Sequence, residues 1–179
     1  MKKRMYYIGT ITLTMVMFLS TQGLTQELEP GEVLPEFSKE ERIEQFAGNM
    51  NGLVFAFISY AKEQGQSAEE AGRYLGEFFA RGWPDDFTPE FYVTAMNRNW
   101  QMYGVTMEVL DVGDDYVKVR RSEVQFDGEL EQAYQEIYGY GISDFRTFFR
   151  HVEKGIASEH GMELSFREED DYVVFTISR

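Results

Sequence analysis

The chain has 179 residues, a formal net charge of -14, 43% hydrophobic residues, 16% aromatic residues and no cysteine. That is enough apolar material for one domain with its own core, while the missing cysteines exclude disulfides, thiol nucleophiles and thiolate metal sites. Such a charge repels phosphate backbones and anionic headgroups, which argues against nucleic-acid binding.

Residues 1–25 read as a secretory leader. Lys2-Lys3-Arg4 precede an apolar run from Met5 to Leu19, and Ser20, Thr21 and Gly23 offer small residues for cleavage. The run is shorter than the roughly 20 apolar residues of a spanning helix. The expectation is an exported soluble domain, periplasmic or extracellular, with no membrane insertion after leader removal. Residues 26–37 form an acidic, proline-containing arm read as a flexible lead-in, and residues 38–179 a single domain.

Ser38-Lys39-Glu40-Glu41 is a capping box that opens a first helix, with Ile43, Phe46, Met50, Val54, Phe57 and Ile58 at helical spacing. Ser67-Ala68-Glu69-Glu70 opens a second, whose apolar positions are Ala68, Ala71, Leu75, Phe78 and Phe79. Trp83-Pro84-Asp85-Asp86-Phe87 is a rigid connector with an aromatic residue at each end.

A helix–hairpin module then appears twice. In the first copy Thr88 caps, Pro89 fits the first helical position, Gly104 stops the helix, and the return strand begins Asp114-Asp115-Tyr116-Val117. In the second, Ser143 caps a helix carrying Phe145, Phe148, Phe149, Val152 and Ile156. Gly161 stops that helix, and the return strand begins Asp170-Asp171-Tyr172-Val173. Between the copies, Ser122 to Gly128 reads as a strand extension to Phe126 before Asp127 caps a short helix. The spacing between copies runs from about 55 to 57 positions by this alignment, and a real repeat would pair the two hairpins into one sheet. Strand alternation and helix periodicity together predict an α+β fold: an antiparallel sheet of about four strands from two helix–hairpin units, with helices packed mainly on one face.

Candidate chemistry is sparse. His151 and His160 belong to no zinc-binding pattern. The run Glu168 to Asp171 lacks the spacing and the glycine of a calcium loop. No nucleophile elbow or glycine-rich phosphate loop is present, so no catalytic residue, cofactor or metal is assigned. Four residues stand out for ligand binding. Trp100 lies among amide side chains, either as a pocket wall or packed beneath the sheet. Arg120 of the Arg120-Arg121 pair can fork onto a carboxylate, and alternation lets at most one of the two face the helices. Tyr138 and Tyr140, in Tyr138-Gly139-Tyr140-Gly141, either line a ligand mouth or form a helix end and turn.

The element order, and the last strand Val173-Val174-Phe175-Thr176-Ile177, resemble the V4R/Bet3 group of ligand-binding folds and the L-2-amino-thiazoline-4-carboxylic acid hydrolase-like family. The resemblance covers roughly residues 40–178. Phe175 and Ile177 match the C-x-F-x-I ending of those chains, and Val173 replaces its cysteine. Arg121-Ser122-Glu123-Val124 stands where a second family cysteine would be. The resemblance implies a scaffold with a hydrophobic pocket and puts thiol-dependent hydrolysis in doubt. The leading expectation is therefore a non-catalytic domain binding a small apolar or amphipathic molecule. The alternatives are a cysteine-less hydrolase and a protein-interaction or structural domain, and the oligomeric state is left open.

Overall fold

The structure, a computed structural model, describes residues 36–126 and 128–179. The leader expected at residues 1–25, most of the arm at 26–37 and the capping role of Asp127 lie outside the described residues. The helices are α1 (Lys39–Glu63), α2 (Ala68–Ala80), α3 (Pro89–Trp100), α4 (Gly128–Tyr138) and α5 (Ile142–Glu159). The strands are β1 (Met107–Val112), β2 (Tyr116–Ser122), β3 (Glu163–Glu169) and β4 (Tyr172–Ser178).

The described residues divide inside α1 into two units, one ending at Gly52 and the other running from Leu53 to Arg179. In the first, the Ser38 capping box forms as expected: Ser38 N–H donates to Glu41 Oε2 at 2.7 Å and Glu41 N–H to Ser38 Oγ at 3.1 Å. Ile43 and Phe46, on the apolar spacing of this helix, are exposed.

The second unit holds the sheet, in the order β1-β2-β4-β3, with every neighbouring pair antiparallel. The return strands β2 and β4 pair at its centre. Tyr116 opposes Ser178 and Tyr172 opposes Ser122, so the two copies of the module meet about a pseudo-two-fold axis. One step of the uneven spacing, from 57 between the glycine stops to 56 between the return strands, has a local cause. The β1–β2 register shifts between Val109 and Asp111, whereas β3 pairs with β4 without interruption, so an extra residue sits in β1 at Leu110. The helices before the hairpins also end alike, Gly104 and Gly161 both taking left-handed backbone at φ 67° and 69°.

One face of the sheet is covered. Val117, Val119 and Arg121 of β2, Val173, Phe175 and Ile177 of β4, and Leu164 and Phe166 of β3 share it, most of them fully buried. α5 packs on β3 and α3 on β2, while α2 lies against α5. The opposite face carries Lys118, Arg120, Arg167 and Thr176, with Val174 buried between its register neighbours Arg120 and Arg167. At the sheet edge, Val109 and Val112 of β1 share the covered face with Val119 and Val117, yet both are more than half exposed.

α2 departs from the pattern its large residues suggest. Tyr74, Phe78 and Phe79 are exposed, and the buried stripe is Ala68, Ala71, Gly72, Gly76 and Ala80. A Cβ on Gly72 would lie 2.2 Å from the Phe148 carbonyl oxygen, and one on Gly76 the same distance from that of Val152. Backbone-to-backbone approach thus sets this packing, and large side chains are excluded from it. Two further boundaries differ from expectation. β2 ends at Ser122, residues 123–126 form no strand, and α5 starts one residue before Ser143, with Gly141 as an N-cap that makes no side-chain bond.

Candidate functional site

The chemistry-bearing side chains of the covered face fall into two groups, one sealed and one open. The sealed group centres on Glu153, a carboxylate on the apolar face of α5 that is 2% exposed. Arg121, its neighbour from β2, is 4% exposed. Arg121 donates through Nη1 to Glu153 Oε1 at 2.5 Å and through Nη2 to Oε2 at 3.0 Å, and Trp100 Nε1–H donates to Oε1 at 2.6 Å. The guanidinium lies 4.5 Å from the Trp100 ring centroid, with Phe166 and Phe175 also within cation–π range. The buried carboxylate is thereby met by a fork and an indole donor, and the buried guanidinium by aromatic faces, binding α3, β2 and α5 together. Beside it Tyr92 is fully buried. Burial pushes its phenol well up, the Glu153 charge adds to that, and Arg121 partly offsets it.

The open group lies on the N-terminal half of the same helix, beginning one turn before Glu153. Arg146 and Arg150, one turn apart on α5, flank Glu123, which follows β2. Glu123 Oε1 is 2.5 Å from Arg150 Nη2, and Glu123 Oε2 is 3.3 Å from Arg146 Nε. Arg150 Nη1 also reaches Glu168 Oε1, at the end of β3, at 2.5 Å. Arg146 donates through Nη2 to the Val124 carbonyl at 2.7 Å. These residues, with Ser143, Thr147, Asp170 and Tyr172, line an open groove of about 260 Å³ between α5 and the β3–β4 hairpin. Its charges are held in place. Hydrogen bonding to Arg150, and the charge of that guanidinium, lower the Glu168 carboxyl. For Arg150, burial works to lower the pKa, but the hydrogen bonds and charges of Glu168 and Glu123 outweigh it and raise it.

Between sheet and helices, where a ligand was expected, the interior is filled. Phe55 stacks on Tyr134 at 4.4 Å and on Phe145 at 5.4 Å, and Phe149 meets Phe145 at 4.7 Å and Trp100 at 5.2 Å. A void of about 10 Å³ beside Trp100, Arg121 and Phe145 has room for about one water molecule.

The four residues singled out from the sequence are dispersed. Trp100 belongs to the sealed group. Arg120 points away from the helices, paired with Glu108 at 2.5 Å and lying 5.3 Å over the Tyr172 ring, so it touches the groove only from behind. Tyr138 is half-buried, 6.0 Å from Phe55, and burial pushes its phenol up. Tyr140 stands under the Lys62 ammonium at 3.8 Å, and Lys62 in turn pairs with Asp144 at 2.8 Å, which pins the linker before α5. Sequence reasoning missed Glu123, Arg146, Arg150 and Glu153. Two signals were available: an acid at 153 between Phe149 and Ile156 on an apolar stripe, and arginines four apart on one helix face.

His151 joins α5 to the first turn of α2, with Nε2 3.2 Å from Glu69 Oε1. Among the described residues, no group of three or more histidine, aspartate or glutamate side chains is placed to hold a metal ion. Nor is any described helix long and apolar enough to cross a membrane.

Comparison with known proteins returned no matching family model and no matching curated protein. Among solved structures, the chain is similar to a trafficking protein particle complex subunit 3 from Naegleria fowleri, solved covalently bound to palmitic acid. The identity is 14%, the TM-score 0.39, and the match covers 78% of this chain and 96% of that one. A likeness this loose carries no inference about ligand or activity.

Proposed function

We propose that the chain is a non-catalytic binding domain for a small amphipathic molecule whose charged end sits in the groove between α5 and the β3–β4 hairpin. The observation that carries this is the convergence of Arg146 and Arg150 on one open space of about 260 Å³ in a chain of net charge -14. Arginine forks suit anionic groups, and Tyr172 offers an apolar flank. Because hydrogen bonding keeps Glu168 and Arg150 charged, the groove is better suited to holding charges than to transferring protons. The filled interior favours this surface groove over an enclosed apolar pocket. The leader-like residues 1–25 support export, which N-terminal sequencing of the mature protein tests directly.

The binding test is an amide-shift titration with octanoate, octylamine and free amino acids at millimolar concentration. Shifts gathered at residues 143–150 and 168–172, and lost in Arg146→Gln/Arg150→Gln, are expected. No shift in that region with any probe overturns the reading.

A second reading, a protein-interaction domain, is favoured by one observation: Tyr74 and Phe78 on α2 and Val109 and Val112 on β1 are exposed large apolar residues. Sedimentation velocity showing a monomer at high concentration removes the self-association form of that reading.

A further inference from the structure

The groove has two walls of opposite sign, and that asymmetry bears on what it holds. On the α5 side stand Arg146 and Arg150, with the hydroxyl residues Ser143 and Thr147 on the same wall. The hairpin side presents Glu168 and Asp170, the latter in left-handed backbone at φ 38°. Between them Glu123, whose side chain is only 11% exposed, reaches both arginines.

The two carboxylates on Arg150 differ. Glu123 is enclosed, whereas the Glu168 side chain is 74% exposed and held at Arg150 Nη1 alone. An ion pair whose acid stands mostly in water contributes less net stability than an enclosed one and exchanges more readily with a competing ion. Glu168 is therefore the displaceable partner.

Now consider what can enter. A simple anion replacing Glu168 at Arg150 would face Glu123, Glu168 and Asp170, three carboxylates against two guanidiniums. A simple cation would pair with Glu168 and Asp170 but meet Arg146 and Arg150. A molecule carrying both charges avoids both repulsions. Its carboxylate takes the place of Glu168 on Arg150, and its ammonium turns toward the freed Glu168 and Asp170. Every charge keeps an opposite neighbour, so a partly desolvated site gains no unpaired ion. The volume of about 260 Å³ lies just below the ~300–1,000 Å³ range of small-molecule pockets, which suits a ligand of amino-acid size.

We infer that the groove takes a small zwitterion, an ammonium carboxylate of amino-acid size, with its carboxylate on the Arg150 wall and its ammonium on the Glu168–Asp170 wall. This rests on the binding reading above and names the ligand class for that site.

The test is an amide-shift titration of the full chain with amino acids from glycine to phenylalanine, each beside its N-acetyl and its amide analogue. At least one free amino acid is expected to bind at least tenfold tighter than both its single-charge analogues. Glu168→Gln, on a side chain exposed enough to leave the fold intact, should narrow the gap between the amino acid and its N-acetyl form. Arg150→Gln, with folding checked by circular dichroism, should abolish binding of the amino acid. An N-acetyl form binding as well as its parent amino acid makes the ligand a plain anion, and an amide doing so makes it a plain cation. Either outcome overturns the inference and leaves the groove standing as a binding site. If no amino acid, analogue or amphiphile shifts residues 143–150, the binding reading falls with it.

Discussion

The sealed pair Arg121–Glu153 and the open pair Arg150–Glu168 share a helix, a residue chemistry and a 2.5 Å contact, yet they do different work. Around Glu153 water is excluded, and each charge is answered by fixed donors and aromatic faces. Glu168 keeps most of its side chain in water, so its partner can be exchanged. Burial makes the first pair a joint between elements; exposure leaves the second in contact with solvent.

The sharpest way to break this contrast is Glu153→Gln. It leaves Arg121 buried without its counter-charge and should cost about 3–5 kcal/mol in urea unfolding, whereas Arg121→Met with Glu153→Leu should recover most of that loss. A double variant as unstable as the single one would mean the pair does more than cancel its own desolvation. Next in size is Gly76→Ala, which pushes on α5, the carrier of both pairs. Its Cβ would meet the Val152 carbonyl at 2.2 Å, so overpacking of about 1–3 kcal/mol is expected. Glu168→Gln, on a side chain that is 74% exposed, should then lower stability by less than about 1 kcal/mol, and a loss as large as that of Glu153→Gln would erase the distinction.

The smallest effect is a pH dependence. The Glu168 carboxyl is lowered in the folded state by Arg150, so its contribution is present above the ordinary carboxylate pKa and is lost as pH falls through the lowered folded value. Comparing wild type with Glu168→Gln between neutral and acid pH should show the two stability curves converging only on the acid side.

Much of the architecture was legible because its signals are local. The Ser67 capping box, with Glu70 N–H donating to Ser67 Oγ at 3.1 Å, the two glycine stops and the paired Asp-Asp-Tyr-Val strands depend on residues a few positions apart. The α+β sheet from two helix–hairpin units follows from them. On α2 the alanines Ala68 and Ala71 are buried as their spacing suggests, but Phe78 and Phe79 are exposed, because hydrophobic periodicity favours large side chains while here the closest packing is made by Gly72 and Gly76, which have none.

The site was less legible. Arg120 and Arg121 look equivalent in the sequence, and alternation shows that they part without telling which turns inward. Pairing decided that, because Arg121 lies opposite Val173 on the covered face and Arg120 opposite Val174. The chain alone determined the strands, the helix ends, the acidic charge and the two-fold plan, all set by short-range sterics and periodicity. Only the tertiary structure decided that the aromatic residues fill the interior, that Glu153 is sealed, and that Arg146, Arg150 and Glu168 face one groove. Those outcomes depend on contacts between residues far apart in the chain, whose energies come from desolvation and packing that no local spacing encodes.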